Sequence, residues 1–233
     1  MSFSAIFSLV CAVFLIFLTS CEKKVDHIDV HEVVVSPKVG AAKEEKLKVK
    51  ALTLDFEKDI KELVEKSSSK IIEMTGKDEE YYGPQANGLL FEIDANKRNS
   101  VITSLKKLIG GRDYFAFTYD NNFGIKPDLV CVIRTKDKFD LLRITGTNGD
   151  NYDISNDKVI ERIKLWDKKY GLKFDGVGFD WFSGIFVKPP KDMNKFAEEV
   201  YEFCPDVVDQ GTESVEKLAE EMKKSNSVYL WWD

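Results

Sequence analysis

Apolar positions fall into three regimes along the chain. From Phe3 to Leu18 they run almost unbroken, interrupted only by Ser4 and Ser8. From Glu22 to Lys50 they are scattered among Lys, Glu and His, with Pro37 and Gly40 and no sustained period except near Val33 to Val35. From Asp55 onward they recur at the spacings of helices and strands.

In that third regime Phe56, Ile60, Leu63 and Val64 predict a peripheral first helix, with Asp55 as N-cap and Ser67, Ser68 and Ser69 interrupting it. Gly88 to Ile93 reads as a strand. Val101, Ile102, Leu105, Leu108 and Ile109 form a helical stripe stopped by Gly110 and Gly111. Tyr114 to Tyr119 and Asp128 to Arg134 read as neighbouring strands across the turn Asp120, Asn121, Asn122. Residues 137–144 fit a helix or a loop equally. Val159, Ile160, Ile163, Trp166 and Tyr170 predict an amphipathic helix.

Strands follow at Leu172 to Val177 and Trp181 to Val187. Pro189 and Pro190 then lead into a helix capped by Asp192, with Phe196, Ala197, Val200 and Phe203 inward and Pro205 at its end. Gly211 closes a turn, Thr212 caps a last helix through Val215, Leu218, Ala219 and Met222, and Val228 to Trp232 is the final strand. In that strand Tyr229 and Trp231 share one face while Leu230 and Trp232 share the other, a pattern expected of a covered strand and not of an edge. The whole reads as α+β: a mixed sheet with helices packed on it. From residue 88 the order is that of the ferredoxin-like βαββαβ arrangement, followed by a β-α-α-β extension.

The apolar start is shorter than the roughly 20 residues a bilayer-spanning helix requires and fits the core of a secretory signal. It ends in Leu18, Thr19, Ser20, Cys21, which resembles the bacterial lipobox. That resemblance implies diacylglyceryl transfer to the Cys21 thiol, cleavage before it and fatty acylation of the new amine, two or more chains being enough for stable anchoring. Met1 to Leu18 departs from the usual pattern in carrying no Lys or Arg. Glu22 after the cysteine implies the outer membrane, if the host has two. The expected organisation is a signal peptide at 1–20, a tether at 21–50 that lifts the domain off the membrane, and one α+β domain at 51–233.

Charge and residue type then narrow the function. With 34 basic and 40 acidic residues the formal net charge is −6, which argues against nucleic acid as a partner. The only histidines, His27 and His31, lie in the tether, so the domain cannot build a Ser-His-Asp or Cys-His nucleophile or a histidine-ligated zinc site. His27, Asp29 and His31 alternate and would share a face if extended, but a solvated tether is the expected reading and no cofactor or metal is assigned. Cys131 and Cys204 permit one disulfide at most. Cys131, within Leu129 to Ile133, reads as a small buried hydrophobe.

Two polar stretches could carry chemistry. Gly146 to Asp153 is a loop whose glycines allow unusual backbone angles and whose Asn and Asp side chains suit turns. It does not make an EF-hand, because Asp153, Ser155, Asp157 lacks the following Gly and Lys164 stands where the closing Glu should fall. Phe203 to Gly211 (FCPDVVDQG) sets two carboxylates and an amide in a short connection. The candidate polar site is Asn148, Asn151, Asp153, Asp206, Asp209, Gln210, Trp231, Trp232 and Asp233, with Asp206, Asp209 or Asp233 as hydrogen-bond partners for buried indoles.

Thr147, Asn148, Gly149, Asn151, Tyr152, Asp153 (TNG.NYD), FCPDVVDQG at 203–211 and YLWWD at 229–233 together resemble the bacterial domain-of-unknown-function family 4253. The resemblance is strongest over 137–233 and is expected to reach back to the strand at 88. It implies kinship of fold and supplies no reaction to transfer.

Two functions are consistent with this sequence. One is a lipid-anchored binding or protein-interaction domain, with an immunity-like role as one form of it, whose partner is a protein or small molecule. The other is a hydrolase in which Asp206 or Asp209 works with a residue of the 148–153 loop as acid and base. Convergence of the two stretches beside Trp231 in an open cleft would favour chemistry; mutual burial of their polar atoms would favour architecture.

Overall fold

The computed structural model describes residues 56–73 and 88–233. The signal segment, Cys21, the tether with its histidines and Asp55 lie outside the described residues. A first strand that the sequence pattern does not announce, β1 (Lys70–Glu73), precedes the strand-prone runs, which become β2 (Gly88–Ile93), β3 (Tyr114–Asp120), β4 (Asp128–Arg134), β5 (Leu172–Val177), β6 (Trp181–Phe186) and β7 (Ser227–Trp231). They form one mixed sheet in the order β1-β2-β4-β3-β5-β6-β7. The helices are α1 (Lys58–Ser67), α2 (Ala95–Leu108), α3 (Asp140–Thr145), α4 (Asn156–Tyr170), α5 (Met193–Phe203) and α6 (Val215–Ser225), with a 3-10 turn at Asp150–Tyr152 and a π-helical turn at Val207–Thr212. The fold is α+β, as the pattern of the chain predicts.

The sheet separates two apolar clusters. Strand β4 shows why its sequence is a continuous apolar run: Val130 and Val132 belong to one cluster while Cys131 and Ile133 belong to the other, and all four are fully buried. The smaller cluster packs Ile60 and Val64 of α1 and Ile102 and Leu105 of α2 against Leu89, Phe91 and Ile93. The larger gathers the inward stripes of α3 to α6, including Trp166, Phe196 and Met222, over Phe117, Phe182 and Leu230.

Short polar side chains start most helices. The carboxylates of Asp94 and Asp192 and the hydroxyls of Ser155 and Ser214 accept the first-turn amides of α2, α5, α4 and α6 in turn. Ser214 therefore caps α6, not Thr212, whose Oγ1 is turned back onto the Val207 carbonyl at 3.2 Å within the π-helical turn. Glu57 occupies the cap position of α1 and makes no side-chain cap bond. The ambiguous stretch after residue 137 contains α3, closed by Gly146 at φ 65°.

Two expectations are corrected. A ferredoxin-like order would place β5 beside β2, but β2 is flanked by β4 and β1, and β5 instead runs parallel to β3 at Thr118↔Gly176. The four-residue strand KIIE, directly behind three serines, is too short to show a period, yet it takes the edge that the ferredoxin order needs. Second, β7 pairs only with β6 and is an edge strand. One of its faces is buried in the larger cluster and the other only partly, and its free edge is met from within the chain: the Cys204 thiol accepts the Trp231 N–H at 3.3 Å and donates to the Trp231 carbonyl at 3.0 Å.

Candidate functional site

The loop between α3 and α4, the segment after α5 and the end of β7 meet at one corner of the larger cluster. Asp206 is the centre of that meeting. Its side is 1% exposed, and its carboxylate accepts from Tyr152 Oη at 2.5 Å, Gln210 Nε2 at 2.9 Å and the Asp233 backbone N–H at 2.9 Å. Asn151 Nδ2 donates in turn to the Asp233 carbonyl. One buried carboxylate thus ties the loop, the π-helical turn and the C-terminal strand together, and three donors nearly saturate its acceptor capacity.

Trp232 fills the space beneath. Its indole is 2% exposed, meets Phe203 edge-on at 5.7 Å and donates Nε1–H to the Phe203 carbonyl at 3.4 Å. The indole partner is therefore a backbone carbonyl, where Asp206, Asp209 and Asp233 were expected. Gly149 lies under the ring: a Cβ there would stand 2.7 Å from Trp232 Cδ1. Its φ of −132° is open to any residue, so this glycine is needed for closeness, whereas Gly146 at φ 65° is the one needed for its backbone angle.

The remaining predicted residues play local parts. Asn148 forms a side-chain turn, with Nδ2 on the Gly146 carbonyl at 3.0 Å and Oδ1 accepting the Asp150 N–H at 3.1 Å. Asp153 takes a left-handed conformation at φ 56°, and its carbonyl accepts from Lys158 Nζ at 2.8 Å. Asp209 is exposed and accepts from Tyr201 Oη at 2.9 Å, apart from the bonds of Asp206. Trp231 is half-buried on the face opposite Trp232. Residues 151, 206, 210 and 233 thus share one hydrogen-bonded corner with Tyr152, Trp232 packs against it under Gly149, and Asp209 and Trp231 stand outside those bonds.

Reading by residue type missed Tyr152 and Thr147. Thr147 is fully buried, bonds Thr145 Oγ1 at 2.7 Å and donates to the Gly178 carbonyl at 2.6 Å, pinning the loop to the β5–β6 turn. Both lie inside the TNG.NYD motif, so the motif itself was their only signal.

The site's protons are held tightly. The hydrogen bond to Asp206, then burial and the carboxylate charge, push the Tyr152 phenol from 10.0 up to about 12. Burial pushes the Cys204 thiol up to about 12 and raises Cys131 as well; both are buried and free, so neither a disulfide nor a thiolate nucleophile forms here. Among the described residues no group of His, Cys, Asp and Glu is placed to hold a metal ion.

The Tyr152 shift has a testable sign. Because the folded pKa lies above the unfolded one, this contribution to stability is complete below pH 10 and declines as pH rises toward about 12, where the unfolded chain ionises first. Urea midpoints followed from pH 8 to 11.5 are expected to fall more steeply for the wild type than for Tyr152→Phe. Parallel curves would mean that the phenol's proton is not held by Asp206.

Beside the corner runs a surface groove of about 440 Å³, lined by Tyr152, Lys158, Arg162, Glu202 and Phe203 among others. The Arg162 guanidinium lies 5.1 Å over Phe203 and 5.8 Å over Trp166. Asp206 does not line this groove and is linked to it through its bond with Tyr152.

Residues 129–233 match the family described as Domain of unknown function (DUF4253), so the resemblance carried by the motifs is borne out over that stretch. The match begins within β4 and does not extend to β2. No curated protein and no solved structure matches the chain.

Proposed function

We propose that the chain is an envelope lipoprotein, anchored to the membrane through lipid on Cys21, whose exported domain works by binding a partner. The observation that carries this reading is the state of Asp206: a carboxylate 1% exposed, with three donors on it, is built to lock a fold and not to exchange protons with a substrate. Asp209, the other candidate acid, is engaged by Tyr201 and does not share those bonds. Cys131 and Cys204 are buried, which holds their thiols protonated, and the described residues contain no histidine. An acidic chain, of formal net charge −6 overall, whose domain is held by a tether is suited to partners chosen by surface complementarity, and protection against a basic toxin or rival protein is one such role.

The full chain, crosslinked in intact envelopes and recovered by an affinity tag, is expected to bring down a defined partner and to do so equally well as Asp209→Ala. Metabolic labelling with a fatty-acid analogue is expected to mark the wild type and miss Cys21→Ala. Turnover of ester, amide or phosphodiester substrates that disappears in a folded Asp206→Asn variant would support the hydrolase instead and displace this reading.

A further inference from the structure

The face of the sheet opposite the larger cluster is covered unevenly. Helix α2 reaches as far as β5, where Lys106 Nζ meets Asp175 Oδ1 at 2.8 Å. Over β6 and β7 the same face stays partly open: Trp181, Tyr229 and Trp231 are half-buried, and Ile185 is 37% exposed. Trp181 pairs in register with Trp231, and its ring centroid lies 6.0 Å from that of Tyr229.

Trp181 in this surface is closely seated. The Trp181 ring rests directly on backbone, because a Cβ at Gly176 would stand 2.3 Å from its Cη2 and one at Gly178 would stand 2.0 Å from its Nε1. Two glycines of one hairpin thus exist as a seat for an indole that remains partly in solvent. A ring fixed in this way loses little entropy on binding.

Its rim is acidic. Asp180 precedes Trp181, is half-buried and has no cationic partner among the described residues. Burial first, then the charges of Asp120 and Asp233, push its carboxyl upward, and its charge in turn reaches Tyr229. Asp120 is met by Lys126 at 3.9 Å, its one cation among the described residues. Partly open indoles beside under-compensated carboxylates match a flat cation that can stack and donate hydrogen bonds together, which is the chemistry of a guanidinium. The apolar surface continues past these rings to Phe179, 37% exposed, and Val187, 55% exposed, farther than a single small cation covers.

We propose that the β6–β7 face is the docking surface for an arginine-bearing segment of a partner protein; this rests on the binding reading above and adds its surface and its chemistry. The test uses the full chain in detergent with 5-fluorotryptophan in place of tryptophan, its resonances assigned by single Trp→Phe variants. Hexa-arginine amide is the probe and hexa-glutamate the control.

Hexa-arginine is expected to move the Trp181 and Trp231 resonances and leave the buried Trp166 and Trp232 in place. Asp180→Asn, which keeps the shape of the side chain, is expected to weaken that binding about threefold to fivefold, and Trp181→Phe by a similar factor. Unmoved Trp181 and Trp231 resonances, equal shifts with hexa-glutamate, or undiminished affinity in both variants would each overturn the proposal. Movement of the same two resonances with protein concentration alone would assign the face to a second copy of the chain and overturn it too. A partner captured from envelopes as efficiently by Asp180→Asn as by wild type would leave the binding reading standing and remove this surface from it.

Discussion

Replacing Trp232 by alanine is expected to destabilise the domain by about 4 kcal/mol, the largest effect of any single change at the motif corner. The indole is 2% exposed, packs edge-on against Phe203, which in turn meets Trp166 edge-on at 5.9 Å, and donates to the Phe203 carbonyl. Removing it opens a cavity whose floor is the backbone of Gly149, and backbone cannot move in to fill the space. Urea denaturation should show a lower midpoint with an unchanged slope. Gly149→Ala approaches the same contact from the other side by driving a methyl into the ring, and a loss of about 1–3 kcal/mol is expected. A Trp232→Ala variant within about 1 kcal/mol of wild type would mean that this corner does not hold the C-terminus in place.

Asp206→Ala should follow at about 3 kcal/mol, for an electrostatic reason and not a packing one. The substitution strands the Asp233 N–H and frees Tyr152 and Gln210, so the loop, the π-helical turn and β7 lose their common acceptor. The signature that separates this from generic damage is the Tyr152 phenol, whose titration at 295 nm is expected to fall from about 12 back toward 10.0. Asp209→Ala is the control: its side chain is exposed and accepts from Tyr201 outside the bonds of Asp206, so stability should change by no more than about 0.5 kcal/mol. Equal losses in the two variants would refute the assignment of the lock to Asp206.

The two results bear jointly on function. A corner that costs several kcal/mol to disturb, yet has its central carboxylate buried and engaged, is architecture, and on the proposed binding reading a partner is met elsewhere on the domain. The partly open side chains of β6 and β7 are the natural place to look, because they belong to the very strands that the corner fixes. Trp232 is buried in the lock while Trp231, its neighbour, faces the other way. The motif's paired tryptophans therefore divide their labour across the sheet.

What the sequence determined by itself is local. A side chain's face depends on neighbours a few positions away, so the two-sided apolar run of β4, the stripe of α4, the Asp192 cap and the alternation of Tyr229 to Trp232 could all be read from the chain. The absence of histidine from the domain likewise needs no structure. The convergence of TNG.NYD, FCPDVVDQG and YLWWD was legible only as shared motifs, and reading them by residue type suggested an acid-base site.

What only the tertiary structure decided is which of these pieces meet. Strand order depends on backbone edges that carry no side-chain pattern, so β1 could take the edge of β2 and send β5 to β3 without a sign in the sequence. A strand's apolar faces do not reveal whether its rim is paired with another strand or closed by a thiol, as Cys204 closes β7. The role of Asp206 was hidden for the same reason: a carboxylate looks the same in sequence whether it awaits a substrate or already holds three donors from distant parts of the chain, and only their positions in space distinguish the two.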